Sequence, residues 1–415
     1  MPLPRVAPQT TADRYPLLVL GLTASVATVG ATIFAISPLL SDIAASFGIA
    51  PAHAGRMIGV YGLAMAVMAP AVGLLARRLP RARVIVAGLV MFALVWIAAA
   101  WTRRFDALLA FTLLAGAATG AVIPATYAYA GDLSTFEHRG RVMGRIVSGW
   151  SIAILLVVPL MAIASQAIGW QFAFAGLAAA ALASAALLAF APRPPTGAAA
   201  GEAAAPRVGP SLRRVASHRP TLVVLLVNAI DMGAFYALYA FLGSELRRVN
   251  DWGAAPAGFA IAAYGVGLLI VTMNGRLVDR VGKTRSAVLS LAALGLVLAC
   301  LPWLVGTPIL LVAGVIVWGC VQGAFFTAIT SLATEQIPEL RGVVTAMLSG
   351  STYLGVTLFS PVAVLLYERL GFAAVGAFSA LSCLAAAALL AWPGSRVEST
   401  ESSESIVARA PARDG

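Results

Sequence analysis

Charge is scarce in this chain. Asp, Glu, Lys and Arg make up 11% of its 415 residues, while 60% are hydrophobic. Ordinary soluble domains carry roughly a quarter charged residues, so a soluble core of this composition is excluded. There is one lysine, Lys283, and there are only three histidines (His53, His138, His218), all at loops or span edges. Cysteine is equally rare: Cys300, Cys320 and Cys383 fall in apolar segments without metal-ligand spacing, which excludes a zinc motif and leaves packing roles. No nucleotide-binding loop and no nucleophile–base pair occurs, and Gly265-x-Gly267 lacks the strand–turn–helix context of a dinucleotide site. An enzyme is therefore not expected, nor is any cofactor or metal. Without an ATPase signature, uphill work must draw on an ion gradient or a partner.

What is abundant is long apolar sequence. A bilayer span needs about 20 apolar residues, and lipid leaves backbone groups no partner outside helices or closed barrels. The runs are rich in Ala, Leu and Gly and lack the period-2 alternation of a barrel. The reading is an all-α membrane protein of twelve spans, near 16–38, 55–76, 83–101, 106–130, 144–165, 170–191, 220–242, 256–278, 286–304, 308–332, 343–366 and 372–392. The chain divides into an N-terminal tail (1–15), a first six-helix bundle (16–191), a Pro/Gly/Ala-rich linker (192–219), a second six-helix bundle (220–392) and a polar tail (393–415) expected to be disordered. The N-terminal tail carries no small-residue cleavage site, so a removable signal peptide is not expected.

The net charge of +11 raises nucleic-acid binding, but the placement of the cations argues against it. Twenty-two of the 28 fall on the tails and even-numbered loops; only Arg56, Arg103, Arg104, Arg247, Arg248 and Arg369 fall on the other side. That asymmetry puts both termini in the cytoplasm. The Ala- and Arg-rich usage fits a GC-rich bacterial source, hence the inner membrane. The expected partners are a small-molecule substrate, protons and the lipid bilayer, with a monomer as the working unit.

The two halves repeat each other. Gly73–Arg83 aligns with Gly275–Arg285 at an offset of 202, and Arg139-Gly140, Pro159 and Gly169 align with Arg341-Gly342, Pro361 and Gly371 at the same offset. Gly116-x-x-x-Gly120 aligns with Gly319-x-x-x-Gly323, and Asp132 with Glu335, at 203. The two Gly-x-x-x-Gly pairs read as close helix packing. Duplicated bundles place a substrate site between the repeats near the midplane and alternate access by rocking.

Gly275-x-x-x-Asp279-Arg280-x-Gly282-Lys283-x-Arg285, between spans 8 and 9, resembles the signature loop of the major facilitator superfamily, and the resemblance extends from about residue 16 to 392. It implies two pseudo-symmetric six-helix bundles and a cytoplasmic gate in which Asp279 meets the N-terminus of span 11, where an anion is favoured. Arg341, at the start of that span, belongs to the same gate. The first-half copy departs from the pattern: Arg77 stands for the acid and Pro80 for the glycine, with Arg78 beside them. Asp132 and Glu137 are the expected partners of Arg77 or Arg78, and Glu335 is the counterpart of Asp132 in the second half. Spans 1 and 2 resemble the drug:proton antiporter branch through Ser37-Pro-Leu-Leu-Ser-Asp42-Ile-Ala and Ala69-Pro70-Ala-Val-Gly73, as does Gly169-Trp-Gln-Phe-Ala-Phe174. Thr112 stands where many relatives carry an arginine, and the span 5 motif is reduced to Gly149 and Pro159.

Of 17 acids, Asp231 alone lies mid-span. A lone carboxylate there costs roughly 2.5–3.5 kcal/mol on insertion scales, a cost that a bound proton removes. No Lys, Arg or His shares its depth, so it is the candidate proton-coupling residue, with Asn228 one turn earlier on its face. By resemblance, spans 1, 4, 7 and 10 line the cavity. Candidate lining residues are Ser25, Thr28 and Thr32 on span 1, Thr112, Thr119, Thr126 and Tyr127 on span 4, Phe235, Tyr236 and Tyr239 on span 7, Gln322 and Phe326 on span 10, and Tyr353 on span 11. Each of these has a packing alternative, since Ser and Thr commonly bond their own helix. The expected activity is export of a drug-like compound or metabolite by proton antiport. The alternatives are proton-coupled or facilitated uptake, and a non-transporting sensor on a carrier fold.

Overall fold

The computed structural model describes residues 15–75, 80–133, 139–192, 208–273 and 281–392, together with 394 and 397. Among them there is no strand, and twelve helices are long and apolar enough to cross a membrane. We number these α1 (Pro16–Ser46), α2 (Arg56–Leu75), α3 (Arg81–Ala100), α4 (Phe105–Asp132), α5 (Val142–Ile168), α6 (Trp170–Phe190), α7 (Arg219–Asn250), α8 (Ala254–Met273), α9 (Lys283–Leu304), α10 (Pro308–Gln336), α11 (Arg341–Leu370) and α12 (Phe372–Ala391). The end of the bundle where α1 begins and α12 ends is called the tail side, the opposite end the far side. The end of α7 at Arg247 meets the end of α1 at Asp42, so α7, like α1, runs from tail side to far side.

Several helices outrun the sequence expectation. The expected first span stops at Pro38, yet α1 continues through it to Ser46 and reaches about 46 Å. Proline removes one ladder bond, and α1 tolerates it because another helix supplies the missing donor, as described below. In the same way α7 runs eight residues past 242, to Asn250, where Asp251 turns the chain with positive φ. α5 contains a π-helical turn, Ala153–Val157, just before Pro159. A short helix, Val208–Ser217, precedes α7 within the expected linker.

Helix packing relies on glycine at crossings where backbones nearly touch. A Cβ on Gly116 of α4 would lie 2.5 Å from the Tyr61 carbonyl of α2, and one on Gly319 of α10 would lie 2.1 Å from the Tyr264 carbonyl of α8. Tyr61 and Tyr264 are themselves 203 residues apart, the offset of the two glycine pairs. The duplicated sequence therefore builds the same crossing twice. Between the first six helices and the last six, α1 meets α7, α2 meets α11 and α5 meets α8.

The outward surface is apolar, with Leu94, Leu160, Leu296, Leu358 and Leu381 all more than half exposed. Trp101 and Trp303, offset by 202, project at the far ends of α3 and α9, at 84% and 81% exposure. Amphipathic rings at helix ends suit a membrane interface. The chain is a multi-pass membrane protein.

Candidate functional site

Asp231 sits in the middle of α7 and is 1% exposed. α7 buries nearly every residue from Val227 to Leu246, because other helices surround it on all sides. Its carboxylate Oδ2 accepts a hydrogen bond from Gln322 Nε2 of α10 at 2.6 Å, and Gln322 is itself 3% exposed. Among the described residues no cation pairs with Asp231. The acid therefore has an amide for a partner, which serves a charged carboxylate as donor or a protonated one as acceptor.

To the far side of this pair lies a cluster of rings. Phe235 and Trp318, each one turn from Asp231 and Gln322 on their own helices, have centroids 4.9 Å apart. Tyr239 stacks on Phe235 at 5.4 Å, Tyr264 of α8 reaches both Phe235 and Trp318, and Phe34 of α1 packs edge-on against Phe235 and Tyr239. Tyr236 completes the group. All six rings are buried. Offset and edge-to-face pairs of this kind add about 0.5–1.5 kcal/mol each beyond area burial.

To the tail side, Asn228 turns toward α11. Its Nδ2 donates to Ser351 Oγ at 3.0 Å, Thr352 Oγ1 at 2.9 Å and the Leu348 carbonyl at 3.3 Å. Asn228 therefore does not share Asp231's neighbourhood as expected; a 60° difference around α7 sends the two side chains to different helices. Phe326, one turn from Gln322, is 48% exposed, whereas Tyr353 is buried. Within this buried core Gln322 Oε1, Asn228 Oδ1, Trp318 Nε1 and Thr126 Oγ1 have no hydrogen-bond partner among the described residues. Groups of this sort cost about 1–3 kcal/mol each when unpaired, so a polar ligand or water gains by meeting them.

The first-half candidates are occupied differently. The Thr119 hydroxyl accepts from Tyr61 Oη at 2.8 Å and donates to its own helix at Ala115, which makes it a packing residue between α4 and α2. Ser25 and Thr112 donate to their own helix carbonyls, Gly21 and Leu108. Thr28, Thr32 and Thr126 are buried. Tyr127 Oη accepts from Trp150 Nε1 at 2.6 Å, and Trp150 packs edge-on against Phe34, which links α4 and α5 to the ring cluster. Sequence reasoning passed over Phe34, Trp150, Tyr264 and Trp318. The repeat offset from Tyr61 to Tyr264, and the one-turn spacing from Trp318 to Gln322, were the signals available.

Of the gate residues, Gly275, Asp279, Arg280, Arg77 and Arg78 lie outside the described residues. Gly282 is described: its φ of 87° lets the chain turn tightly into α9. Asp132 pairs with Arg81 of α3, while Glu137 and the expected partners Arg77 and Arg78 lie outside the described residues. Arg81 heads α3 and its side chain also donates to the Ala128 carbonyl, which holds it at the end of α4. Lys283 heads α9 in the same way and pairs with Glu335 at 2.8 Å. Arg81 and Lys283 are 202 residues apart and their acids 203, so the tail-side ion pair is built twice. Each contributes on the order of 0–1 kcal/mol. Arg341 is exposed at the start of α11. The three cysteines are free; only Cys383 is fully buried, and Cys300 is exposed rather than packed.

The far side holds a pair whose members the sequence left apart, Asp42 within the span 1 motif and Arg247 among the six cations of that side. Arg247 of α7 donates to Asp42 of α1 at 2.6 Å and to the Pro38 carbonyl at 3.3 Å, and Ser165 of α5 donates to the second oxygen of Asp42 at 2.8 Å.

A chain built this way can be compared with known proteins. The MFS-type transporter YwfA of Bacillus subtilis strain 168 is 31% identical over 88% of this chain and 89% of its own length. A chloramphenicol resistance protein of Streptomyces lividans is 28% identical over 64% and 67%, and a probable sugar efflux transporter of Mannheimia succiniciproducens is 24% identical over 81% and 84%. Among solved structures, the nucleoside transporter NupG superimposes with a TM-score of 0.74 at 16% identity, covering 90% of this chain and 98% of that one. A D-xylose–proton symporter gives 0.75 at 13% identity, covering 92% and 99%. The family model for the Major Facilitator Superfamily matches residues 22–346 and 221–414. With its twelve helices and a family match along its length, the chain belongs to the major facilitator superfamily: it is a membrane transporter and not an enzyme.

Proposed function

We propose that this transporter exports a small molecule in exchange for protons, working as a monomer in the bacterial inner membrane with both tails in the cytoplasm. The observation that carries the reading is the Asp231 carboxyl: mid-helix, 1% exposed, held by the Gln322 amide and by no cation among the described residues. An acid so placed takes up a proton when it is sealed from water and gives it up when water reaches it. Alternating access then carries the proton one way while substrate moves the other. Rings and a few polar groups around the acid form the kind of wall that holds an amphipathic compound. The chloramphenicol resistance and sugar efflux names among the relatives support export as the direction. Gln322 and Phe326, with Phe235, Tyr236 and Tyr239, are the proposed substrate contacts; Gly275, Asp279, Arg280, Arg77 and Arg78 remain proposed gate residues.

The test is the sign of flux. Purified protein in vesicles is loaded with a labelled panel that includes chloramphenicol and neutral sugars, and a pH difference is imposed in either direction. Antiport predicts that a transported compound leaves the lumen faster when the outside is acidic and accumulates in the lumen when the lumen is acidic. Accumulation in an alkaline lumen would identify proton-coupled uptake instead.

A further inference from the structure

The linker helix, Val208–Ser217, is two-faced. Ser211 and Val215 are buried and Leu212 is half-buried, and this side packs on α7 and α11. Pro210, Arg213, Arg214 and Ser217 recur at i, i+3, i+4 and i+7 on the opposite side, and all four are exposed. An amphipathic helix usually gives its apolar stripe to a membrane or a partner. Here the bundle already takes that stripe, so the helix turns a pair of guanidiniums outward. Beside them lies an open recess of about 510 Å³, lined by Gly209, Pro210, Arg213, Arg214 and Ser217, with no carboxylate in its wall.

Two adjacent guanidiniums offer planar forks of N–H donors, the geometry that holds a phosphate through paired hydrogen bonds. Ser217 Oγ donates to the Arg213 carbonyl at 2.9 Å and can turn its proton to a phosphate oxygen instead. Among the described residues Arg213 makes no ion pair. Arg214 Nη2 meets Glu339 Oε2 at 3.4 Å, in the short turn Pro338–Leu340 that leads into α11, and the two side chains are 62% and 67% exposed. An exposed pair of this kind contributes about 0–1 kcal/mol, so a phosphate in the recess competes for Arg214 on good terms. The recess also lies at headgroup depth. Only His218 separates the linker helix from α7, whose first residue, Arg219, adds a third exposed cation. In the first two turns of α7, Leu222 and Leu226 are 41% and 51% exposed. Cations followed at once by exposed apolar side chains suit a molecule with an anionic head and apolar tails, whereas a soluble phosphate uses only the first part.

We propose that the Arg213–Arg214 face of the linker helix binds the phosphate of an anionic phospholipid, and that the bound phosphate takes Arg214 from Glu339 and so frees the start of α11. Neither the transported substrate nor the direction of flux enters into it.

Full-length protein in a neutral detergent is titrated with phosphatidylglycerol while its melting temperature is followed, because a ligand of the folded state raises it by mass action. The parent is stabilised by phosphatidylglycerol and far less by phosphatidylcholine, inorganic phosphate or glycerol phosphate at equal concentration. Arg213→Gln with Arg214→Gln weakens the apparent lipid affinity about 25-fold, since each cation near an anionic surface contributes about fivefold. Arg103→Gln with Arg104→Gln removes the same charge from the far-side turn before α4 and leaves the affinity at the parent's value. Glu339→Gln, which deletes the competing carboxylate, tightens binding about two- to fivefold, a gain that a merely structural role does not give. All of these side chains are exposed, so their substitution leaves the core intact. Arg213→Lys with Arg214→Lys, which keeps the charge and loses the forks, serves as the check if the glutamine variant does not accumulate, and it binds severalfold more weakly than the parent. An affinity unchanged in the Arg213 and Arg214 variants, or lowered as much by the Arg103 and Arg104 pair, would overturn the site. An equal response to inorganic phosphate would overturn lipid as the occupant, and Glu339→Gln protein that binds no tighter than the parent would overturn the exchange at α11.

Discussion

Asp231→Asn should abolish flux driven by a pH difference while leaving substrate–substrate exchange at zero pH difference largely in place. The two side chains are nearly isosteric, and the asparagine carbonyl can still accept from Gln322 Nε2, so the α7–α10 contact survives. What disappears is titration. Coupling between two ligands, here a proton and a substrate, usually amounts to 5- to 150-fold in affinity, and its removal should lower gradient-driven accumulation by on the order of 100-fold. Exchange needs both gates to move but no net proton, so a role confined to packing would depress both activities together. The pH profile separates the cases further. Parent activity should change with pH on the side where Asp231 loads, whereas the variant should be flat. Driven accumulation equal to the parent's would remove Asp231 from coupling.

The largest effect on stability is expected at Gly355 of α11. A Cβ there would lie 1.9 Å from the Ala229 carbonyl oxygen and 2.7 Å from its carbon, both backbone atoms of α7 that no rotamer change can move. Gly355→Val must push α11 away from α7, and it would disturb Asn228, whose amide bonds to Leu348, Ser351 and Thr352 depend on the same crossing. Overpacking of a tight core costs about 1–3 kcal/mol where side chains can yield, and more where they cannot. Little monodisperse protein should survive extraction, and any that does should melt well below the parent. Gly176 of α6 is the control, since a Cβ there meets nothing within 4 Å. Gly176→Val should match the parent in yield and melting temperature. A Gly355→Val protein of parental stability would mean that the α7–α11 crossing is wider than described.

Much of the architecture was legible because lipid imposes strong constraints. Twelve apolar runs and the 202–203 offset required no tertiary information, and the offset matches pairs of contacts such as Gly116 on Tyr61 and Gly319 on Tyr264. Helix ends were less legible. Pro38 reads as a stop in sequence, but the Tyr239 hydroxyl takes the carbonyl that the proline orphans, and nothing local announces a donor 205 residues away. The same blindness hid Asp42 and Arg247. Each lies at a span end, where a charge has an ordinary interfacial explanation, and only folding brings them within 2.6 Å. Asp231 stood out because a carboxylate in mid-span has no ordinary explanation. Its partner Gln322 appeared only among several lining candidates, since a neutral amide in an apolar helix is unremarkable until the facing helix is known. Asn228 was misdirected for a geometric reason: residues three apart share a broad face of a helix, but in a crowded bundle 60° is enough to meet a different neighbour.

The central claim is that protons and substrate cross in opposite directions through Asp231. A pH-sensitive dye trapped inside proteoliposomes tests it most directly: the vesicles are loaded with a transported compound and diluted into substrate-free buffer of equal pH. Antiport predicts that the lumen acidifies as substrate leaves, and that Asp231→Asn vesicles release substrate without any pH change. A lumen that stays neutral, or turns alkaline, in the parent protein would contradict the account.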